Sequence, residues 1–181
     1  MVPPFVTNPI WSLQPWPLTL SVSGQEYEIP ATPAAQWLAV LLTEGLMIDE
    51  VVLELLHPDD EQALEEALLS GDIDTDELYE ACLDLIEAAS GRKWYVAMRL
   101  VFVVKESWNT LGGEIMLQGV DATHLSLAGW LDAVFLLMLR GMKRENVTMF
   151  LSQLEMPPPQ ERQEAMEEIE VGRDQFMSMM S

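Results

Sequence analysis

Positive charge is the first thing this sequence lacks. Of 181 residues only 9 are Lys or Arg, against 30 Asp or Glu, and the formal net charge is -21. No base occurs before Arg92, so residues 1 to 91 carry 18 acids uncompensated, whereas residues 92 to 181 carry 12 acids and all 9 bases. Such a chain repels phosphates, and binding to DNA, RNA or an anionic lipid surface is not expected. Cysteine is also nearly absent: a single Cys82, set in an apolar helical stretch, cannot form an internal disulfide and reads as a small buried hydrophobe in a reducing compartment. No apolar run reaches the ~18 uncharged residues of a membrane span, because Arg99 interrupts one and Asp132 the other. No basic segment precedes an apolar one at the N-terminus, so neither secretion nor membrane insertion is expected.

Residues for bond chemistry are scarce as well. Beyond carboxylates, the side chains with lone pairs or low-pKa protons are His57, His124 and Cys82, too few to assign a metal site or a nucleophile. The run Asp72, Asp74, Asp76, Glu80 resembles the opening of a calcium loop, but Glu77 stands where the sharp turn needs Gly and Leu83 where a bidentate Glu belongs. These acids read instead as helix-capping residues. No phosphate-binding Gly-Lys-Ser/Thr loop, dinucleotide Gly fingerprint, Gly-x-Ser-x-Gly elbow or Cys-x-x-Cys pair occurs. Carboxylate pairs are unavoidable among 30 acids and argue nothing by themselves. The reading is a non-enzymatic protein with no cofactor.

What the chain has is apolar content, 49% of residues, enough at this length for a single core that removes ~70% of the unfolded surface from water. Residues 1–17 hold five Pro with Trp11 and Trp16 and form an extended arm rather than a helix. Residues 18–156 read as a helical domain that opens with a β-hairpin, since Leu18, Leu20, Val22 and then Tyr27, Ile29 alternate across a break at Ser23-Gly24-Gln25. Thr32-Pro33 predicts a helix start with a hydroxyl cap, and Gly45 its end. Asp49 opens a short helix through Leu56. Pro58 opens another, closed by Ser70-Gly71, and Asp74 or Thr75 a further one, closed by Ser90-Gly91. Residues 94–111 are apolar nearly all round, and their length favours a helix over a strand, ending at Gly112-Gly113. Asp121 or Thr123 caps a long helix from Leu125 to Arg140, the expected centre of the core, and a last helix spans Arg144 to Leu154. Pro157-Pro158-Pro159 starts residues 157–181, a rigid break followed by a charged tail with sparse apolar positions. The fold class is therefore mainly α with a short N-terminal β-hairpin and an extended charged C-terminal tail.

Two features bear on function. Of twelve Met residues all but Met1 and Met47 lie in the second half, and their unbranched thioethers re-pack around differing apolar shapes. Core filling explains Met138 and Met149; Met177, Met179 and Met180, in the tail, suit contact with a partner. The base-free first half is either a solubility device or a surface for a basic partner.

Three stretches carry a resemblance: Trp16 to Leu38 (WPLTLSVSGQEYEIPATPAAQWL), Leu125 to Ala133 (LSLAGWLDA) and Leu154 to Pro159 (LEMPPP). Together they resemble the tail assembly chaperones of long-tailed bacteriophages infecting actinobacteria. The resemblance implies a protein made in the host cell cytoplasm and absent from the mature virion, which keeps the tape measure protein soluble and helps recruit tail tube protein. It also implies a frameshift-extended form of the same chain as a partner, diverging after Pro159. A homo-oligomer is compatible with the role. The residues themselves place candidate anchors for an apolar helical client in a groove between 94 to 111 and 125 to 140: Trp94, Phe102, Trp108, Trp130 and Phe135, each of which also suits a core position.

Two other readings stay open. An acidic inhibitor could mimic nucleic acid and block a basic DNA- or RNA-binding enzyme, although the acids are scattered over several short helices instead of one continuous face. A small hydrolase with an unrecognised carboxylate pair would need a concave pocket and raised carboxyl pKa values.

Overall fold

The structure is a computed structural model that describes residues 14–43, 48–117 and 124–159. Most of the expected arm 1–17 and of the expected tail 157–181 lies outside the described residues. The mainly helical architecture carries one two-stranded antiparallel hairpin among the described residues, as the sequence predicts. Two compact units divide the chain, Met1–Met142 and Lys143–Ser181. The division falls inside the span 18–156 that the sequence reads as one helical domain.

The first unit begins with β1 (Leu18–Val22) and β2 (Gln25–Ile29), in register Leu20↔Tyr27 and Val22↔Gln25. Alternation sends Leu20, Val22, Tyr27 and Ile29 into the core and Thr19, Ser21, Glu26 and Glu28 to solvent. The two-residue turn has Ser23 at φ 50 and Gly24 at φ 76, the left-handed pair that matches strand twist. Glycine takes that conformation without strain, but Ser23 does not. Helix α4 (Thr75–Ser90) compensates: Glu77 accepts from Ser23 N–H at 2.7 Å through Oε1 and from Ser23 Oγ at 2.7 Å through Oε2. On the other strand Glu28 N–H donates to Asp60 Oδ2 at 3.1 Å, tying β2 to the first turn of α3 (Pro58–Ser70).

Helix α1 (Ala34–Leu41) starts one residue after its expected Pro, but Thr32 is not its cap. The Thr32 hydroxyl donates to Pro30 O, Pro33 occupies the cap position, and the orphan N–H of Ala34 finds Leu125 O at 2.7 Å. The helix ends at Leu41 with Leu42 as its cap, and Gly45 lies outside the described residues. Helix α2 (Ile48–Leu53) starts a residue before Asp49, which is therefore inside it and not its cap. It stops three residues short of Leu56, where Leu55 and Leu56 turn into the core. Helix α3 is capped by His57, whose Nδ1 accepts from Asp59 N–H, and closes on Gly71 at φ 79. Asp74 Oδ1 caps α4 by accepting from Asp76 N–H at 2.8 Å, and Gly91 at φ 65 ends it.

Helix α5 (Trp94–Leu117) corrects the expected stop at Gly112-Gly113: it runs through both glycines. Two helical glycines cost ~2 kcal/mol together. Leu111 and Ile115, four residues apart on one face and both buried, return more than that. Helix α6 (Leu127–Gly141) starts two residues later than expected and is capped by Ser126, whose Oγ accepts from Gly129 N–H at 3.0 Å; Asp121 and Thr123 lie outside the described residues.

The centre of this unit is α4, which packs against β1, α2, α5 and α6. The sequence places α6 there instead. The correction lies in burial: α4 is buried from Leu78 through Cys82, Leu85 and Ile86 to Ala89, whereas the buried residues of α6 stop at Val134. In the second unit α7 (Arg144–Leu154) has the predicted bounds, and only Leu154 of its residues is buried.

A candidate protein-contact surface

The expected anchors separate into different environments. Trp130, on the face of α6 that meets α1, α4 and α5, is 1% exposed and belongs to the core. Phe135, further along α6, is half-buried with the Arg92 guanidinium 5.0 Å over its ring. That guanidinium, only 3% exposed at the side chain, donates through Nη2 to Asp132 Oδ1, so Phe135, Arg92 and Asp132 form one cluster just before α5 begins. Trp94 is half-buried and stands edge-on to Tyr95, with ring centroids 5.8 Å apart and planes at 84°. Its backbone N–H donates to Glu87 Oε1 at 3.1 Å, while Lys93 Nζ pairs with Glu87 Oε2 at 3.0 Å. Phe102 is the outlying member, 55% exposed on α5. The side chain of Trp108 and all of Met177, Met179 and Met180 lie outside the described residues.

No shared groove collects the described rings, because α5 and α6 pack directly on one another. Val96, Ala97, Leu100, Val101 and Val104 line the inner face of α5, and Trp130, Leu131 and Val134 that of α6. What remains outward on α5 is the stripe Tyr95, Met98, Arg99, Phe102 and Lys105, at the i, i+3, i+4 spacing of neighbours on a helix. Arg99 lies 5.4 Å over the Tyr95 ring.

Of the second half of α6 the sequence reading marks Phe135 as a candidate anchor and misses Leu136, Leu137 and Leu139. From Phe135 to Leu139 five consecutive apolar side chains cover the whole circumference of the helix, and none is buried; Leu136 is 64% exposed. The signal was present, since a helix apolar on most faces needs neighbours on every side to be covered. In the second unit Met149 is 58% exposed and in the first Met138 is half-buried, so the core role expected for both is corrected. The cause at Met149 is that α7 buries only its last residue, Leu154.

Several acids occupy structural posts. Asp74 caps α4, Asp72 Oδ2 accepts from Ser70 Oγ at 2.7 Å, and Asp60 and Glu77 hold the hairpin. Among the described residues no three His, Cys, Asp or Glu side chains stand close enough to hold a metal ion, and no helix is long and apolar enough to cross a membrane. A shallow recess of about 400 Å³ on the hairpin is lined by Pro17, Leu18, Thr19, Glu26, Tyr27 and Glu28. At its floor, burial and then the nearby Asp60 charge push the Tyr27 hydroxyl above its ordinary pKa, and this hydroxyl donates to Gln25 Oε1 at 2.5 Å. The recess is open and acid-rimmed, suited to contact with a polar group.

No family model, no curated protein and no solved structure matches the chain.

Proposed function

We propose that this chain is a non-enzymatic holding protein of the tail assembly chaperone kind, which keeps a tape measure protein soluble in the host cytoplasm and helps recruit tail tube subunits. The observation that carries the reading is the coexistence of a closed core with uncovered apolar side chains on α5 and in the second half of α6. A tape measure is a long helical chain with apolar stripes that self-associate in water. A holder of such a chain needs adaptable apolar surface, which Phe102, Leu136, Met138 and Leu139 offer, and net charge large enough to keep the loaded complex apart from its copies, which -21 supplies. The resemblance of residues 16–38, 125–133 and 154–159 to this family points the same way.

The test is capture of the N-terminally tagged chain from its native cells, with mass spectrometry of the eluate, followed by co-expression of the captured partner. The expected outcome is a very long helical protein, or an extended form sharing this N-terminus, that is soluble only when co-expressed with the chain. Recovery of a basic nucleic-acid enzyme in its place would overturn the reading in favour of charge mimicry.

A further inference from the structure

A sheet of two strands has two edges, and the hairpin treats them differently. Glu28 N–H points away from β1 and donates to Asp60 Oδ2 at 3.1 Å, so α3 closes the edge of β2 there. Because the backbone groups of Glu28 face outward, those of its partner Thr19 do so on the opposite edge, and alternation adds the pair Ser21↔Glu26. The N–H and C=O groups of Thr19 and Ser21 therefore line the edge of β1, and among the described residues no hydrogen bond takes them up. Within β1 there is no Pro, Lys or bulge to block pairing. On the solvent face Thr19 and Ser21 are uncharged, and one strand further on stand Glu26 and Glu28, both exposed and neither in an ion pair among the described residues. We infer that the edge of β1 receives an extended segment of another polypeptide as a third strand, in which apolar residues alternate with Lys or Arg on the solvent side. The inference goes beyond the holding function and does not rest on it.

In such an addition the main-chain bonds supply affinity and the alternate side chains supply selection. Residues opposite Thr19 and Ser21 project to the solvent face, two strand spacings or ~10 Å from Glu26 and Glu28. A Lys or Arg stem, lying over the small Thr19 and Ser21, and the Glu side chain reaching back cover that span together. The recess lined by Pro17, Leu18, Thr19 and the stretch Glu26 to Glu28 opens at the same place and admits the charged head. Two other occupants lack this complementarity. A second copy pairing β1 with β1 sets Thr19 and Ser21 against their own kind and brings more acids but no base from its first 91 residues, and residues 1–13 of this chain hold three Pro and no Lys or Arg.

The experiment is fluorescence anisotropy of the full-length chain with two labelled peptides of equal length, one alternating Val with Lys and one Val with Glu, joined to amide hydrogen exchange of the free and bound chain. The Lys peptide is expected to bind at least ~10-fold tighter than the Glu peptide and to slow exchange at Thr19 and Ser21, whose amides exchange fast in the free chain. The double variant E26K/E28K should invert the preference with the fold intact, since both side chains are exposed. Ser21→Pro removes an outward N–H without touching a bond of the hairpin and should weaken binding at least ~10-fold. N-methylation of alternate amides in the peptide should do the same with the chain unaltered, which keeps the edge testable where the Pro variant does not fold. Equal or tighter binding of the Glu peptide overturns the proposal, as does binding that survives N-methylation. Amides of Thr19 and Ser21 already protected in the free chain also overturn it, giving the edge to a segment of this chain or, where protection rises with protein concentration, to a second copy. Binding of neither peptide overturns this edge alone, while the holding function stands or falls separately on recovery of the long helical partner.

Discussion

The hairpin with its supporting helices and the second half of α6 lie in one compact unit, yet they treat their apolar side chains in opposite ways. Around the hairpin every inward apolar residue, Leu20, Val22, Tyr27 and Ile29, is buried, and the backbone groups left over are taken up by Glu77 and Asp60. In α6 the apolar residues after Val134 stay half-covered, although nothing in their chemistry distinguishes Leu136 or Leu139 from Leu131. The difference teaches that burial here follows the neighbours an element meets: acids fasten the hairpin to α3 and α4, while the end of α6 runs past the helices that cover its first half. Leu131 stabilises the fold; Leu136 is available to something else.

The sharpest way to break that comparison is to truncate a side chain on each side of the core boundary. Trp130→Ala should cost ~3 to 5 kcal/mol in urea unfolding, since it empties a core position, while Leu136→Ala should change stability by no more than ~0.5 kcal/mol. An unchanged melting temperature for Trp130→Ala together with lost partner binding would move Trp130 from the core to the interface. Next in size is the ion pair at the start of α5. Asp132→Ala leaves the guanidinium of Arg92, 3% exposed, without its carboxylate and should cost ~3 kcal/mol, at the low end for a broken buried pair because Asp132 itself is 38% exposed. Replacing both, as Arg92→Met with Asp132→Leu, should recover much of that loss, which a double-mutant cycle measures.

Smaller effects sharpen the hairpin side. Glu77→Ala removes both acceptors of Ser23 and should cost ~1 to 2 kcal/mol, and Ser23→Gly in that background should return part of it by relieving the left-handed strain. The least of the expected changes is a pH effect. Because the folded state raises the Tyr27 pKa, the folded form holds that proton more tightly than the unfolded chain, whose tyrosine titrates near ~10. The stabilisation from this group is fully present below ~pH 10 and is lost as pH rises through the higher folded value. Tyr27→Phe should flatten that alkaline limb in a series of melts without altering the profile at neutral pH.

Much of the fold is legible locally. Alternation on both sides of Ser23-Gly24 fixes the hairpin, and Gly71 and Gly91 mark helix ends because each takes the left-handed conformation a cap requires. The bounds of α7 follow from its spacing and the proline break after it. Long-range contacts decided two of the misses and local backbone geometry decided a third. Thr32 has the chemistry of a cap, but the N–H at the start of α1 is taken by Leu125 O from far along the chain. Ser126 caps α6 because its hydroxyl reaches Gly129 N–H from extended backbone, a geometry sequence spacing does not select over Asp121 or Thr123. The glycines 112 and 113 stay helical because Leu111 and Ile115 have a core to enter. Of the surface, the sequence marks Phe102 and Phe135 as aromatic but not that Arg92 covers the ring of Phe135 while Phe102 stays exposed.

The bond from Ala34 N–H to Leu125 O has a consequence for synthesis. Helix α1 completes its N-terminus with a carbonyl made roughly ninety residues later, and contacts so distant in sequence form slowly. Until α5 and α6 leave the ribosome, α4 lacks two of the elements that cover it, and the emerging chain carries 18 acids with no base to fold against. Such a nascent segment is held open and soluble by its own repulsion. A chain ending at Gly91 is therefore expected to stay largely unfolded by circular dichroism, and the unit to close only when Arg92, α5 and α6 are present.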